Sequence, residues 1–186
     1  MADFTGDLVD LSRTVSHALR HDPGAYGIAL DSEGWVGVDE LLAAIGRSKK
    51  PLADATEQEL RDILATSEKT RFEVQNGRVR ARYGHSIERK IDHTPVDEPP
   101  ALLFHGTAAR NRASIEAKGL LPSGRQYVHL SGDRALAEKV GRRHGDPIVF
   151  LVDTVVARSQ GIRFFIVDDD VYLAESIPPG ALTLEL

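Results

Sequence analysis

The 186 residues carry 23 Lys+Arg against 28 Asp+Glu, a net charge of −5, with 41% hydrophobic and 27% charged content, which suits one compact domain or two small globular lobes. The absence of cysteine excludes disulfides, thiolate metal sites and cysteine nucleophiles. No run approaches the roughly 20 apolar residues of a membrane span, and the acidic opening MADFTGDLVD is unlike a secretory signal, so the expected compartment is the cytoplasm.

Leu8, Leu11, Val15 and Leu19 recur at helical spacing, and Asp22-Pro23-Gly24 stops that helix. Asp39 is placed to cap a second helix, Glu40 to Ile45, which Gly46 closes. Thr56-Glu57-Gln58-Glu59 forms a capping box that opens a third helix carrying Leu60, Ile63 and Leu64. Two alternating runs, Arg71 to Gln75 and Arg78 to Tyr83, flank Asn76-Gly77, the strongest short hairpin signal. Three helices followed by a β-hairpin predict a winged-helix lobe over residues 1–91. Between Arg71 and Lys90 six basic residues (Arg71, Arg78, Arg80, Arg82, Arg89, Lys90) face two acidic ones (Glu73, Glu88), a local balance of +4. A polyanion meeting this acidic chain would need such a local patch.

Residues 92–100 hold Pro95, Pro99 and Pro100, lack apolar periodicity, and read as a linker. Residues 101–186 form a strand-rich second lobe, with β-prone runs at 101–105, 126–131, 148–153, 163–167, 171–175 and 182–186. One helix ends at Lys118-Gly119, and another begins at Asp133 and carries Leu136 and Val140. The chain as a whole is α+β.

Standard catalytic signatures are absent: no phosphate-binding glycine loop, no HExxH and no GxSxG. The seven histidines lie singly, and Asp168-Asp169-Asp170 reads as a charged turn between strands, so no metal is expected. Four clusters remain: Ala18-Leu19-Arg20-His21, Lys69-Thr70-Arg71-Phe72, Phe104-His105-Gly106-Thr107 and Val140-Gly141-Arg142-Arg143-His144-Gly145. Each alone has a plain structural explanation. Cations suit a helix C-terminus, an arginine suits an exposed strand, and glycine suits a strand leaving for a loop.

Together they carry a resemblance. The run Leu11-Ser12-Arg13-Thr14-Val15-Ser16-His17-Ala18-Leu19-Arg20-His21 resembles the opening of the NAD-dependent RNA (tRNA) 2′-phosphotransferases, as do Leu30-Asp31-Ser32-Glu33-Gly34-Trp35-Val36 and Val38-Asp39-Glu40-Leu41-Leu42. Further matches are Arg71-Phe72-Glu73, Val79 to Ser86, Leu103-Phe104-His105-Gly106-Thr107, Ser114-Ile115, Gly119-Leu120, Val128-His129-Leu130-Ser131 and Val140 to Gly145. The set covers nearly the whole chain in family order and spacing.

The resemblance implies a winged-helix lobe joined to an ADP-ribosyltransferase-like lobe that binds NAD at residues 101–186. It implies RNA carrying an internal 2′-phosphate as substrate. That phosphate attacks the anomeric carbon of the nicotinamide ribose and expels nicotinamide, giving RNA-2′-phospho-ADP-ribose. The neighbouring 2″-hydroxyl then takes the phosphate, leaving 2′-hydroxyl RNA and ADP-ribose 1″,2″-cyclic phosphate. By carry-over, Arg20, His21, Arg71 and Arg143 hold the phosphate. Arg143 is chosen over Arg142 because it occupies the third position of Gly-x-Arg-His-Gly. His105, Gly106, Thr107, His129 and Ser131 are the implied cofactor residues. A phosphate monoester already carries about −1.5 to −2 charge, so the nucleophile needs binding and aim more than deprotonation.

Protein-modifying ADP-ribosyltransferases carry a late catalytic glutamate, and here Val171 stands at that place, with Glu175 nearby but out of register. The same stretch departs from the family's Asn-Gly-Val-Trp-Leu-Thr, with Asp170, Tyr172 and Ala174 at the glycine, tryptophan and threonine positions. Two alternatives stand beside the main reading: an ADP-ribosyltransferase that modifies terminal phosphates of RNA or DNA, and a non-enzymatic nucleic-acid-binding lobe.

Overall fold

The structure, a computed structural model, describes residues 4–66 and 71–185. Helix and sheet are mixed in an α+β chain that divides into two compact units, Met1–Asp92 and His93–Leu186.

The first unit runs α1 (Phe4–Arg20), β1 (Val36–Gly37), α2 (Val38–Ser48), α3 (Glu57–Thr66), β2 (Phe72–Gln75) and β3 (Arg78–Ala81). The apolar stripe of α1, Leu11, Val15 and Leu19, is buried against Leu41 and Ile45 of α2, Leu60 and Ile63 of α3, and Phe72 and Val79 of the sheet. The strands are antiparallel in the order β1-β3-β2. Asn76 and Gly77 take φ of 51° and 71°, the two positive angles of a type I′ turn, so the hairpin closes on two residues. The capping box forms as read: Thr56 N–H donates to Glu59 Oε2 at 2.8 Å, and Glu59 N–H donates to Thr56 Oγ1 at 3.2 Å.

Helix α2 differs from expectation at both ends. It starts at Val38 with Gly37 as its N-cap, so Asp39 lies inside the first turn, where its charge suits the helix dipole. It also runs through Gly46 to Ser48. A β-carbon on Gly46 would stand 3.0 Å from Cα of Ala53, so this glycine serves the close return of the following turn and ends nothing.

The second unit contains β4 (Leu102–Ala108), α4 (Arg112–Lys118), β5 (Val128–Ser131), α5 (Arg134–Gly141), β6 (Pro147–Asp153), α6 (Thr154–Ser159), β7 (Phe164–Asp168), β8 (Val171–Ala174) and β9 (Leu182–Glu185). The strands make one antiparallel sheet in the order β7-β8-β5-β4-β6-β9. Its core gathers Leu103, Val128, Leu130, Phe150, Val152 and Phe164 with Ile115 of α4 and Ala157 of α6. Helix α5 starts as expected, with Asp133 accepting from Leu136 N–H at 2.6 Å. Asp168 to Val171 closes the β7–β8 hairpin, so the acidic triplet is a turn. Helix α6 was not expected from the sequence, because Thr154-Val155-Val156 favours strand. The Asp153 carboxylate starts it by accepting from Val156 N–H at 2.9 Å.

The proline segment read as a linker runs along this sheet. Pro95 bridges to Phe165, Val96 N–H donates to Phe164 O at 2.9 Å, and Thr154 Oγ1 donates to Pro100 O at 2.7 Å. Prolines suit a sheet edge, where a missing N–H leaves no ladder bond unmade.

Helix α5 lies directly on the backbone of β4. A β-carbon on Gly106 would come within 1.7 Å of the Ala137 carbonyl oxygen, and one on Gly141 within 3.0 Å of Thr107 N and O. Backbone cannot yield to such an overlap as a flexible side chain can. Gly106→Ala should therefore destabilise the protein by about 3 kcal/mol or more, at or beyond the upper end of overpacking costs. Gly180→Ala, where nothing lies within 4 Å, should stay within about 0.5 kcal/mol of the parent. Urea unfolding followed by circular dichroism compares the two.

Candidate active site

The first unit brings three of the expected residues together at the C-terminal end of α1. Phe72 is fully buried in the same core as Leu19, which fixes the start of β2 beside the end of the helix. Arg20 Nη2 donates to the Arg71 carbonyl at 3.1 Å, and that carbonyl also accepts from Arg82 N–H at 3.1 Å. The Arg20 guanidinium lies 5.6 Å from the Phe72 ring centroid and 5.3 Å from that of Tyr83. His21 follows directly, its Nδ1 hydrogen-bonded to Ser86 Oγ at 2.9 Å. The Arg71 side chain is exposed and has no hydrogen-bond or ion-pair partner among the described residues. Lys69 and Thr70, part of the same sequence cluster, lie outside the described residues. The end of α1 adds the negative end of the helix dipole, which favours positive charge there.

The basic run of the hairpin is less open than its composition suggests. Arg78 pairs with Asp31 at 2.6 Å and Arg80 with Glu73 at 2.9 Å, while the Arg80 guanidinium stacks 4.5 Å from the Trp35 ring centroid. Arg89 donates to Leu30 O at 3.2 Å. Burial would raise the Asp31 carboxyl. The N–H of Trp35, the Arg78 guanidinium and the N–H of Glu33 outweigh it and hold the carboxyl below its ordinary value. These cations fasten the hairpin to the 31–35 loop and do not form a free patch.

In the second unit β4 and β5 pair at a single position, Phe104 opposite Ser131, while β4 pairs with β6 along its whole length. His105 fills the opening with a side-chain bond: its Nδ1 donates to the His129 carbonyl at 2.9 Å. A carbonyl only accepts, so the ring proton sits on Nδ1. Burial depresses the pKa of His105, and the charge of nearby His144 depresses it further, against the opposing pull of the His129 carbonyl. The ring is thus neutral at pH 7 and carries its lone pair on Nε2. Gly106 is where α5 meets the strand. The hydroxyls of Thr107 and Ser131 are buried, the first accepting from Asn111 Nδ2 at 2.9 Å and the second from Asp133 N–H at 3.3 Å. His129 is half-buried, with Arg125 Nη1 3.5 Å from its Nε2.

Residues Arg142–His144 continue from α5 as a 3₁₀ turn. Arg142 reaches back one turn to Glu138 at 2.6 Å. Arg143 is exposed and has no hydrogen-bond or ion-pair partner among the described residues. The turn is held from its far side by Arg110, whose Nη1 donates to the His144 carbonyl at 2.6 Å, and by Ala109 N–H on Asp146 O at 2.8 Å. Glu175 is engaged by Arg163 at 2.8 Å. Sequence reasoning missed Arg110, whose surroundings carry no motif, and Ser86, which stood in a quoted motif without a role.

Comparison with known proteins places these motifs. The model of the RNA 2′-phosphotransferase, Tpt1 / KptA family matches residues 6–176. A protein named probable RNA 2′-phosphotransferase from Acetivibrio thermocellus is 43% identical over 183 residues, spanning 96% of this chain and 98% of its own length. Like-named proteins from Agrobacterium fabrum and Thermococcus kodakarensis are 43% and 39% identical, spanning 93% and 94% of this chain and 92% and 95% of their own lengths. With a family match over most of its length and relatives aligned nearly end to end, the chain belongs to the RNA 2′-phosphotransferase family.

Proposed function

We propose that this protein is an NAD⁺-dependent RNA 2′-phosphotransferase, with a winged-helix lobe for RNA in the first unit and an ADP-ribosyltransferase-like lobe for NAD⁺ in the second. The observation that carries the reading is the cluster of Arg20, His21 and Arg71 around one helix end. Held there by main-chain, hydroxyl and aromatic contacts, these side chains offer N–H donors of the kind a phosphate monoester accepts.

Arg20, His21, Arg71 and Arg143 bind the RNA 2′-phosphate. Arginine suits this work because its planar fork meets phosphate oxygens bidentately and stays charged. The choice of Arg143 over Arg142 gains support from the ion pair that commits Arg142 to Glu138. The residues of the second unit also fit NAD⁺. At the opening between β4 and β5, neutral His105 offers Nε2 as an acceptor to a ribose hydroxyl or amide N–H. His129 contributes its carbonyl there, while its ring lies beside Arg125. Gly106, Thr107 and Ser131 act there as frame, since their backbone and hydroxyl groups are used by α5, Asn111 and Asp133. NAD⁺ would supply an electrophilic anomeric carbon and a neighbouring hydroxyl. The protein's own task is to aim the phosphate and stabilise charge on its oxygens as it transfers.

Incubation with NAD⁺ and a short RNA bearing one internal 2′-phosphate should yield nicotinamide, 2′-hydroxyl RNA and ADP-ribose 1″,2″-cyclic phosphate on chromatography. A stable ADP-ribosylated RNA end as sole product would overturn the assignment in favour of the terminal-phosphate alternative. Alanine at Arg20, Arg71 or Arg143 should each cost about 10²–10³ in rate, and lysine should rescue poorly. Near-normal single-turnover rates in all three would remove the phosphate-binding role.

The depressed pKa of His105 gives a pH prediction. Because its folded pKa lies below the unfolded value, the neutral ring contributes stability fully above about pH 6.5, and this is lost as pH falls through the folded pKa. NAD⁺ affinity measured by calorimetry should likewise hold constant from pH 8 to about 6.5 and weaken below. An affinity that rises as His105 takes up a proton would exclude Nε2 as an acceptor.

A further inference from the structure

Ser86 touches both residues that end α1. Its N–H donates to the Arg20 carbonyl at 2.9 Å, satisfying one of the carbonyls a helix leaves over, and its Oγ lies 2.9 Å from His21 Nδ1. The hydroxyl is therefore held in place by the same helix end that carries the imidazole. The preceding residues anchor it further: Gly84 takes φ of 90°, and His85 is 2% exposed, its Nε2 3.5 Å from where a β-carbon on Gly34 would stand.

An imidazole that binds phosphate must present an N–H, and a neutral ring has only one. We propose that Ser86 is a positioning residue that donates its hydroxyl proton to His21 Nδ1, so that the neutral ring carries its hydrogen on Nε2 and offers it to an anion. The role rests on the phosphate-binding reading of His21 given above. When the ring is protonated, both nitrogens carry hydrogen and the hydroxyl turns to accept. Nε2–H is present in either state. Without Ser86 the neutral ring can place its proton on Nδ1 and turn its Nε2 lone pair toward the phosphate oxygens, which repel it. His17 stands nearby, its ring centroid 6.1 Å from that of His21, with its own Nδ1 3.3 Å from Tyr26 Oη. Arg20, Arg71, Arg82 and Asp22 are among the charged groups near this end of the helix, and the Asp22 carboxylate accepts from Ala25 N–H at 2.9 Å.

Two measurements on the full chain test this. Long-range ¹⁵N–¹H correlation of the histidine rings, with His17→Gln used to separate the neighbouring signals, should show the Nε2–H form for neutral His21 in the parent and in Ser86→Thr. In Ser86→Ala the ring should become a mixture of both forms. Turnover of 2′-phosphorylated RNA should stay level in the parent as pH rises from 6 to 8. In Ser86→Ala it should fall over that range by the factor that the Nδ1–H share sets, about twofold for an even mixture, match the parent at the acid end, and recover in Ser86→Thr. A merely structural serine would lower the rate equally at every pH. An Nδ1–H tautomer in the parent, an unchanged tautomer in Ser86→Ala, or a loss independent of pH would each overturn the proposal. If the parent itself failed to act on 2′-phosphorylated RNA, the enzymatic reading would fall, while the ring spectra would still decide what Ser86 does to His21.

Discussion

The contact between α5 and β4 sets the geometry of the second unit. With the Ala137 carbonyl 1.7 Å from where a β-carbon on Gly106 would stand, helix and strand meet backbone to backbone over two glycines. Close approach fixes where α5 ends, and so where residues 142–145 leave it. Arg110 and Ala109 then hold that turn by the His144 carbonyl and the Asp146 carbonyl. Arg143 is bracketed by a residue committed to Glu138 and by one whose carbonyl is tied to Arg110. An exposed arginine costs side-chain entropy to order, and under the proposed reaction a backbone held on both sides lowers what remains to be ordered when the phosphate binds.

The first unit solves a different problem, that of keeping cations with different tasks apart. Arg78 and Arg80 each have a carboxylate, and Arg80 also covers Trp35. Their charge is largely answered within the fold, and their contribution is to join hairpin and loop. Arg20 meets the Arg71 carbonyl and two aromatic faces, contacts that orient its guanidinium. Arg71, exposed, comes immediately before β2. Counting charges along the sequence could not separate these groups, because Glu73 and Asp31 answer their arginines across strands and loops.

Much of the fold was legible wherever a local rule decided it. The capping box at Thr56 and Glu59, the Asn76-Gly77 turn and the Asp133 cap follow from side chains bonding backbone within four residues, and each formed as read. Gly46 was misread because its reason lies at Ala53, a tertiary contact that no window around the glycine contains. Helix α6 was missed because its valines favour strand and only the Asp153 cap and packing of Ala157 decide otherwise. The candidate site shows the same division. Arg20, His21 and Arg71 stood out through motifs, whereas Ser86 and Arg110 act through bonds to residues 65 and 34 positions away.

Two of the three histidines singled out from the sequence, His21 and His105, face opposite electrostatic demands under the proposed reaction. His105 donates its ring proton to a main-chain carbonyl, and burial keeps the ring neutral, so its outward nitrogen can only accept. That suits a neighbour such as the nicotinamide end of NAD⁺, which carries positive charge and hydroxyl and amide donors. A protonated ring there would repel the charge and lose the acceptor. At the end of α1 the requirement is reversed, since a phosphate presents only acceptors and needs N–H groups around it. A nucleophile that arrives already anionic removes the need for a strong base, and the one late glutamate near the usual catalytic position is tied to Arg163. The inventory is therefore one of donors for the phosphate and an acceptor for the cofactor, each fixed by the main-chain or side-chain oxygen bonded to the ring's other nitrogen.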